Sequence, residues 1–251
     1  MDLTIFFREQ GVDIFAEVSI ASLSNEDNAA VEQFFPGAGC VIVFGREVPA
    51  RVWHMHSKAK TKEMLRIAEE LDGAAVRLAT LLEAEQVPAR PVPLYLPVRI
   101  RQGRVQGVVR LKHVAAAAGI GSLGRNTVLF APGFGPRLLL SGVVTALPTG
   151  KTGELRRSEP RPQTPACDGC GRCVAVCPEG ALGPDGVDAF RCRTVRAWVP
   201  PVLVPSAKWM TGRTFLLKYL APLAPWIARA ATIRCSLCVT ECPYFAGGTE
   251  I

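Results

Sequence analysis

The sequence predicts an α+β chain in two parts: a mixed strand-and-helix first domain over residues 1–150 and a smaller, cysteine-rich second domain over residues 151–251. Three observations predict it. Apolar runs of strand length flank one long helical pattern in the first part. A segment dense in Pro, Gly and charge, residues 148–165, then interrupts both patterns and reads as a linker. Eight of the nine cysteines follow that segment. At 251 residues and 49% hydrophobic composition, the chain is long and apolar enough for two units with a real core.

In chain order, residues 14–18 and 40–44 read as strands, and residues 138–145 as another. Between them, residues 58–85 form a helical pattern. Its apolar positions Met64, Leu65, Ala68, Leu71, Ala75, Leu78 and Leu82 recur at three and four, as one buried face would. Strands separated by helices place the first part among α/β or α+β folds. No uninterrupted apolar run reaches the length of a membrane span, so no integral span is expected. The nearest approach, residues 214–233, is broken by Lys218, Pro222, Pro225 and Arg229, and reads as a packed, kinked helix or a docking surface. The N-terminal Met1-Asp2-Leu3-Thr4 lacks the basic and apolar regions of a signal peptide, so a reducing, cytoplasmic setting is expected.

The cysteine spacing carries the chemistry. One run is Cys167-x2-Cys170-x2-Cys173-x3-Cys177-Pro178; the second is Cys235-x2-Cys238-x3-Cys242-Pro243, with Cys192 alone between them. The first run matches the bacterial ferredoxin signature for a [4Fe–4S] cluster, in which three closely spaced thiolates wrap one cubane and the fourth ligates its neighbour. A ferredoxin-like domain with two [4Fe–4S] clusters is therefore expected. Cys167, Cys170, Cys173 and Cys242 are assigned to one cluster, and Cys177, Cys192, Cys235 and Cys238 to the other. The 42 residues between Cys192 and Cys235 require tertiary folding to bring Cys192 back. A zinc ribbon needs two C-x2-C pairs, not a triple followed by x3-Cys-Pro. Cys40, in an apolar stretch, reads as a small core residue.

Charge is uneven. The net charge is +7, and residues 86–153 hold no Asp or Glu but nine cations: Arg90, Arg99, Arg101, Arg104, Arg110, Lys112, Arg125, Arg137 and Lys151. Such a stretch is either a solvated basic face or a site for an anion: a phosphate-bearing cofactor, an acidic substrate, an acidic redox partner or RNA. The alternation in residues 98–101 suggests a strand with Arg99 and Arg101 on one side. Within this stretch, Gly119-Ile-Gly121-Ser122-Leu-Gly124 fits G-x-G-x-x-G. A dinucleotide fingerprint, however, needs a strand before it and an acid about 20 residues later. Residues 113–118 favour helix instead, and no acid follows until Glu154. The glycines are expected to let main chain approach a ligand closely, with Arg125 and Asn126 beside them.

Residues 111–130, containing Gly119, Gly121, Ser122, Gly124, Arg125 and Asn126, resemble the "AGLGxxGKN" element of the epoxyqueuosine reductases and their shorter relatives. Residues 135–137 and 141–145 resemble the strand that follows it, and the cysteine order is also that family's arrangement. The resemblance implies a nitroreductase-like α/β N-terminal domain that binds cobalamin rather than flavin. It also implies a two-cluster C-terminal domain that feeds electrons to the cobalt, and reductive dehalogenases are related in the same way. The glycine element would then line the corrinoid site. Two departures point to a different substrate from that of queuosine synthesis on tRNA. Val105 and Gln106 stand near the family's catalytic Asp, and the chain ends soon after Cys242, so the helical-repeat extension is expected to be absent.

Reduction of an organic substrate needs a proton source. His113, on the helix leading into the glycine loop, and Tyr95 are the candidate catalytic residues; Tyr244 is weaker. His54 and His56, before the long helix, read as surface or satisfied polar residues. The sequence thus predicts an iron–sulfur reductase relaying electrons from an external donor of ferredoxin or flavodoxin type to a cofactor, with cobalamin expected, for an unidentified small-molecule substrate. The alternative is an electron-transfer or activating partner that reduces a corrinoid on another protein. A third reading, RNA binding, rests on the basic stretch alone, with tRNA as a candidate partner.

Overall fold

Four strands, β1 (Ile14–Ser19), β2 (Cys40–Glu47), β3 (Ala89–Pro91) and β4 (Leu138–Thr145), form one antiparallel sheet in the spatial order β1-β2-β4-β3. The structure is a computed structural model describing residues 2–95, 98–101, 104–148, 167–183, 186–196, 202, 204–211, 221–223, 226, 229–230 and 232–246. The fold is mixed α/β, and helices cover both faces of the sheet. The linker expected at 148–165 lies almost wholly outside the described residues, as does most of the segment 214–233.

The central pair β2 and β4 runs in register from Cys40 opposite Thr145 to Glu47 opposite Leu138. An apolar run buried on both sides explains why neither strand alternates cleanly. Cys40, Ile42 and Phe44 enter one core, while Val41 and Val43 enter the other. Cys40 is fully buried, and burial, then the Glu17 carboxylate, push its thiol well above the usual range, so it behaves as a small core residue.

The long helix, α4 (Ser57–Ala84), packs on the first face. Its buried stripe is Met64, Ile67, Leu71, Ala74, Ala75, Leu78, Ala79 and Leu82. The expected stripe is therefore right in period but displaced at one end: Leu65 and Ala68 are only half-buried, and Ile67 takes their place. Leu65 lies about 100° around the helix from Met64, which puts it at the stripe's edge. A short helix, α1 (Leu3–Glu9), caps the same core. Its Phe7 is wholly buried, with its ring 4.6 Å from Phe15 and 4.9 Å from Phe44. His54 and His56 do not share an extended segment. They flank the junction between α3 (Ala50–Trp53) and α4 as a C-cap and an N-cap.

The second face is covered by α2 (Asn25–Phe34) and α5 (Leu111–Ala117), through Val31, Val114, Ala115 and Ile120. Ser24 caps α2, accepting from the Asp27 N–H at 3.2 Å and donating to its carboxylate at 2.6 Å. Residues 98–101 do form a strand, β5 (Val98–Arg101), which pairs antiparallel with β6 (Arg104–Gly107) as a separate hairpin. None of the described helices is long and apolar enough to cross a membrane.

The second cysteine run does not stand apart from the first 150 residues. Val239, in the short helix α6 (Leu237–Thr240), is buried in the same core as Phe7 and Leu78. Ile233, Cys238 and Phe245 pack partly against that core.

Candidate functional site

The thiols fall into two groups. In the first run, Asp168 organises the loop: one carboxylate oxygen accepts from the Cys170 N–H at 2.9 Å and the other from the Tyr244 hydroxyl at 3.1 Å. The latter bond ties the first run to the end of the second. Cys167, Cys170, Cys173 and Cys242 line one small cavity together with Arg125 and Tyr244. Burial raises the Cys242 thiol, and the neighbouring thiols of Cys170, Cys167 and Cys173 raise it further. Burial likewise pushes Cys238 up to about 12, helped by Cys235, Cys192 and Cys177, with Cys173 the smallest contributor. Cys242 and Cys238 thus each have the other three members of their expected group as electrostatic neighbours. Among the described residues no three His, Cys, Asp or Glu side chains converge on a single metal ion.

Several contacts hold the second run against the first domain. Ile233 N–H donates to the Thr61 hydroxyl at 2.7 Å, and the Lys60 ammonium donates to the Ser236 hydroxyl at 2.8 Å. The Asn126 amide donates to the Cys238 carbonyl at 2.8 Å, and the Arg137 guanidinium to the Phe245 carbonyl at 2.6 Å. Thr194 and Cys235 exchange hydrogen bonds at 3.2 and 3.3 Å, which anchors the segment carrying Cys192 beside the second run.

A cavity of about 730 Å³ lies between these parts. That volume is in the range of small-molecule and cofactor sites. One wall is α5, with Arg110, Lys112 and His113; another is β4 at residues 138–140. The third is formed by Gly183, Gly186, Val187 and Ala189, a stretch leading directly to Cys192, whose N–H donates to the Asp188 and Ala189 carbonyls. Among the described residues, no Asp or Glu lines this cavity. Its cations are nevertheless not all uncompensated. Arg110 pairs with Asp27 at 2.6 Å and Glu26 at 2.8 Å, both on α2. Burial acts to raise the Asp27 pKa, but hydrogen bonds from Arg110 and Ser24 outweigh it and hold the carboxyl below its usual range. The basic stretch also does not converge as a whole. Arg90 lies over the rings of Phe34 and Phe35, and Arg137 is buried with Glu47.

A family model for a 4Fe-4S binding domain matches residues 163–182. Epoxyqueuosine reductase from Gloeobacter violaceus is 30% identical over 142 residues, which span 55% of this chain and 36% of that enzyme. The enzyme of the same name from Listeria monocytogenes is 37% identical over 76 residues, 29% of this chain and 17% of the other. The chain is a relative of the epoxyqueuosine reductases. Its fold agrees: the structure of epoxyqueuosine reductase from Streptococcus thermophilus superposes with a TM-score of 0.58 at 16% identity, covering 98% of this chain and 65% of that one. An epoxyqueuosine reductase solved with a tRNA stem loop gives 0.56 at 18% identity, with the same coverage. This chain therefore accounts for only part of the length of the epoxyqueuosine reductases it matches.

In this chain the glycine element is built differently from the expected ligand cradle. Gly119 ends α5 at φ +71°, with its N–H on the Ala116 carbonyl and the Ile120 N–H on the Ala115 carbonyl, a Schellman turn. Gly121 is needed because a Cβ there would lie 1.9 Å from the Phe130 carbonyl oxygen. Ser122 pairs with Phe130 in a two-residue ladder. The close approach made by these residues is to the protein's own main chain. Gly124 and Arg125 do line the large cavity, and Arg125 also lines the thiol cavity. Asn126 is buried, holding the Cys238 carbonyl with its amide and the Val128 N–H with its oxygen.

His113 lines the large cavity and Tyr95 does not. Tyr95 instead donates to Glu69 at 3.1 Å, and burial together with that carboxylate pushes its hydroxyl up to about 12. Burial lowers the His113 pKa, with Arg110 adding to the effect and Asp27 opposing it. The folded chain therefore binds this proton less tightly than the unfolded one. Stability from this group is complete above the ordinary histidine pKa, near 6.5, and is lost as the pH falls below it. His113→Asn is expected to flatten that acid-side slope. Chemical unfolding of wild type and variant across pH 5–8 checks this, and parallel slopes would contradict it.

Proposed function

We propose that this chain is an iron–sulfur oxidoreductase in which two [4Fe–4S] clusters relay electrons to a cofactor in the large cavity for reduction of an unidentified substrate. Residues 1–150 supply most of the cofactor and substrate site, and residues 151–251 hold the clusters. The observation that carries the reading is the shared wall: Gly186, Val187 and Ala189 line the cavity in the stretch that leads to Cys192. The donor set fits the clusters, since two groups of four thiols at ferredoxin spacing suit two cubanes.

Cobalamin is the cofactor favoured by the relationship to the epoxyqueuosine reductases, and it would supply a cobalt centre that accepts single electrons. The cavity suits a large, partly anionic group: Leu123, Leu129 and Leu138 give it apolar sides, and Lys112 and Arg125 stand at its polar edge. Those leucines exclude water, the cations orient negative groups, and His113 is the one histidine among the described residues of the cavity wall, its pKa lowered chiefly by burial. Gln106, which lines the cavity, cannot donate a proton as a carboxylic acid would. The external electron donor is expected to be of ferredoxin or flavodoxin type, in a cytoplasmic setting.

Anaerobic purification with metal and sulfide analysis tests the reading. About eight irons per chain are expected, together with a cobalt(II) EPR signal after incubation with cobalamin. A colourless, sulfide-free chain would end the proposal. Full iron without corrinoid or flavin uptake would favour the second reading, a partner that delivers electrons to a cofactor on another protein. Exposed Val202, Trp209, Leu223 and Trp226 support that alternative as a docking surface.

A further inference from the structure

Lys60 is a buried ammonium without a buried counter-ion. It sits in the first turn of α4 and is only 7% exposed. Its one hydrogen bond is to the Ser236 hydroxyl, at 2.8 Å, and among the described residues no carboxylate pairs with it. A buried charge left in this way is strongly unfavourable unless a neighbouring charge compensates it. The ligand residue beside it is Cys235, because Ser236, which accepts the ammonium's hydrogen bond, is the next residue in the chain. The position is also fixed, because the next residue of α4, Thr61, accepts from the Ile233 N–H at 2.7 Å. Two consecutive residues of the helix thus clasp the strand of chain that enters the second cysteine run.

We infer that Lys60 is the built-in counter-ion of the cluster held by Cys177, Cys192, Cys235 and Cys238, and that it sets that cluster's reduction potential. The inference rests on the two-cluster reading above. A cubane on four thiolates carries net negative charge, and accepting one electron from the external donor adds another negative charge without requiring a proton. A fixed cation beside it stabilises the reduced form more than the oxidised form and so raises the potential. Low local dielectric makes the effect larger than a surface lysine would give. Lys60 acts here as a positioning charge: it touches no substrate and transfers nothing. It also makes the two clusters unequal, since Arg125 and Arg172, the cations beside the other thiol cavity, are exposed to solvent and screened.

The test is an EPR-monitored redox titration of the anaerobically purified chain, with no corrinoid or substrate required. Cys192→Ser and Cys242→Ser first identify which signal belongs to which cluster. Lys60→Met is expected to shift the signal lost in Cys192→Ser to a more negative potential and leave the other unchanged, while Lys60→Arg keeps both near wild type. Ser236→Ala, which frees the ammonium from its anchor, is expected to move the same potential the same way by less. Uptake of a single cluster by Lys60→Met, with two in Lys60→Arg, supports the same conclusion. Unchanged potentials in both Lys60→Met and Ser236→Ala, a shift confined to the other cluster, or equal cluster loss in Lys60→Arg would overturn it. Iron and sulfide counts on the wild type come first. A count short of two clusters brings down the cluster reading itself, whereas full counts with unmoved potentials overturn only the role of Lys60.

Discussion

Cys242→Ser is expected to remove the cluster of Cys167, Cys170 and Cys173 while leaving in place the one that includes Cys235 and Cys238, its nearer neighbours in sequence. The reason is spatial. Cys242 shares one cavity with the three thiols of the first run, and its electrostatic neighbours are those same thiols. Cys238 has Cys235, Cys192 and Cys177 ahead of Cys173 among its thiol neighbours, and Cys235 is hydrogen-bonded to Thr194, two residues beyond Cys192. Iron should fall from about eight to about four per chain, and adding Cys170→Ser should cost no further iron. Combining Cys242→Ser with Cys192→Ser should abolish the colour altogether. Iron analysis and EPR of the reduced proteins check these outcomes. Loss of the Cys235–Cys238 cluster in Cys242→Ser would mean that each run serves its own cubane, contrary to the exchange of the fourth ligand.

The crossed grouping is an expectation that spacing alone can state, because the constraint is local: three thiolates two residues apart wrap one cubane, and x3-Cys-Pro carries the next one past it. The central strands and the long helix were legible for a similar reason. An apolar run from Cys40 and a 3.6-residue stripe along α4 are burial written directly into residue order. Short elements were not legible. Helix α1 has seven residues and β3 has three, too few for a period to stand out. The roles of Lys60, Asn126 and Arg137 were hidden more deeply, because their partners lie 176, 112 and 108 residues away. Nothing in their own neighbourhoods separates them from ordinary surface cations or turn residues. The glycine element shows the converse error. Gly119 and Gly121, expected to let main chain approach a ligand, serve a helix end and a tight ladder.

Arg137→Met is expected to lower the stability of the anaerobically loaded chain by about 3 kcal/mol, the loss associated with breaking a mostly buried ion pair and orphaning its acceptors. The guanidinium, 6% exposed, joins three things at once. It pairs with Glu47 at the end of β2, donates to the Phe245 carbonyl at 2.6 Å, and lies 5.5 Å from the centre of the Phe245 ring. Phe245 in turn meets Trp53 and His54 edge-on at 6.3 and 5.5 Å. Methionine keeps much of the volume but leaves Glu47 without this cation and the carbonyl without this donor. Glu47 retains partial solvent access at 27% side-chain exposure, which places the loss at the lower end for a buried pair. Arg137→Lys should recover only part of it, since an ammonium cannot serve carboxylate, carbonyl and ring in one planar fork. The functional consequence follows from chain order: Phe245 is three residues beyond Cys242, so loosening it should release the cluster of Cys167, Cys170, Cys173 and Cys242 first on exposure to chelator. Denaturant unfolding and the order of cluster loss measure the two effects. A stability change within about 0.5 kcal/mol, the usual span for a surface substitution, with both clusters retained equally, would show that Arg137 is not the latch between the sheet and the second cysteine run.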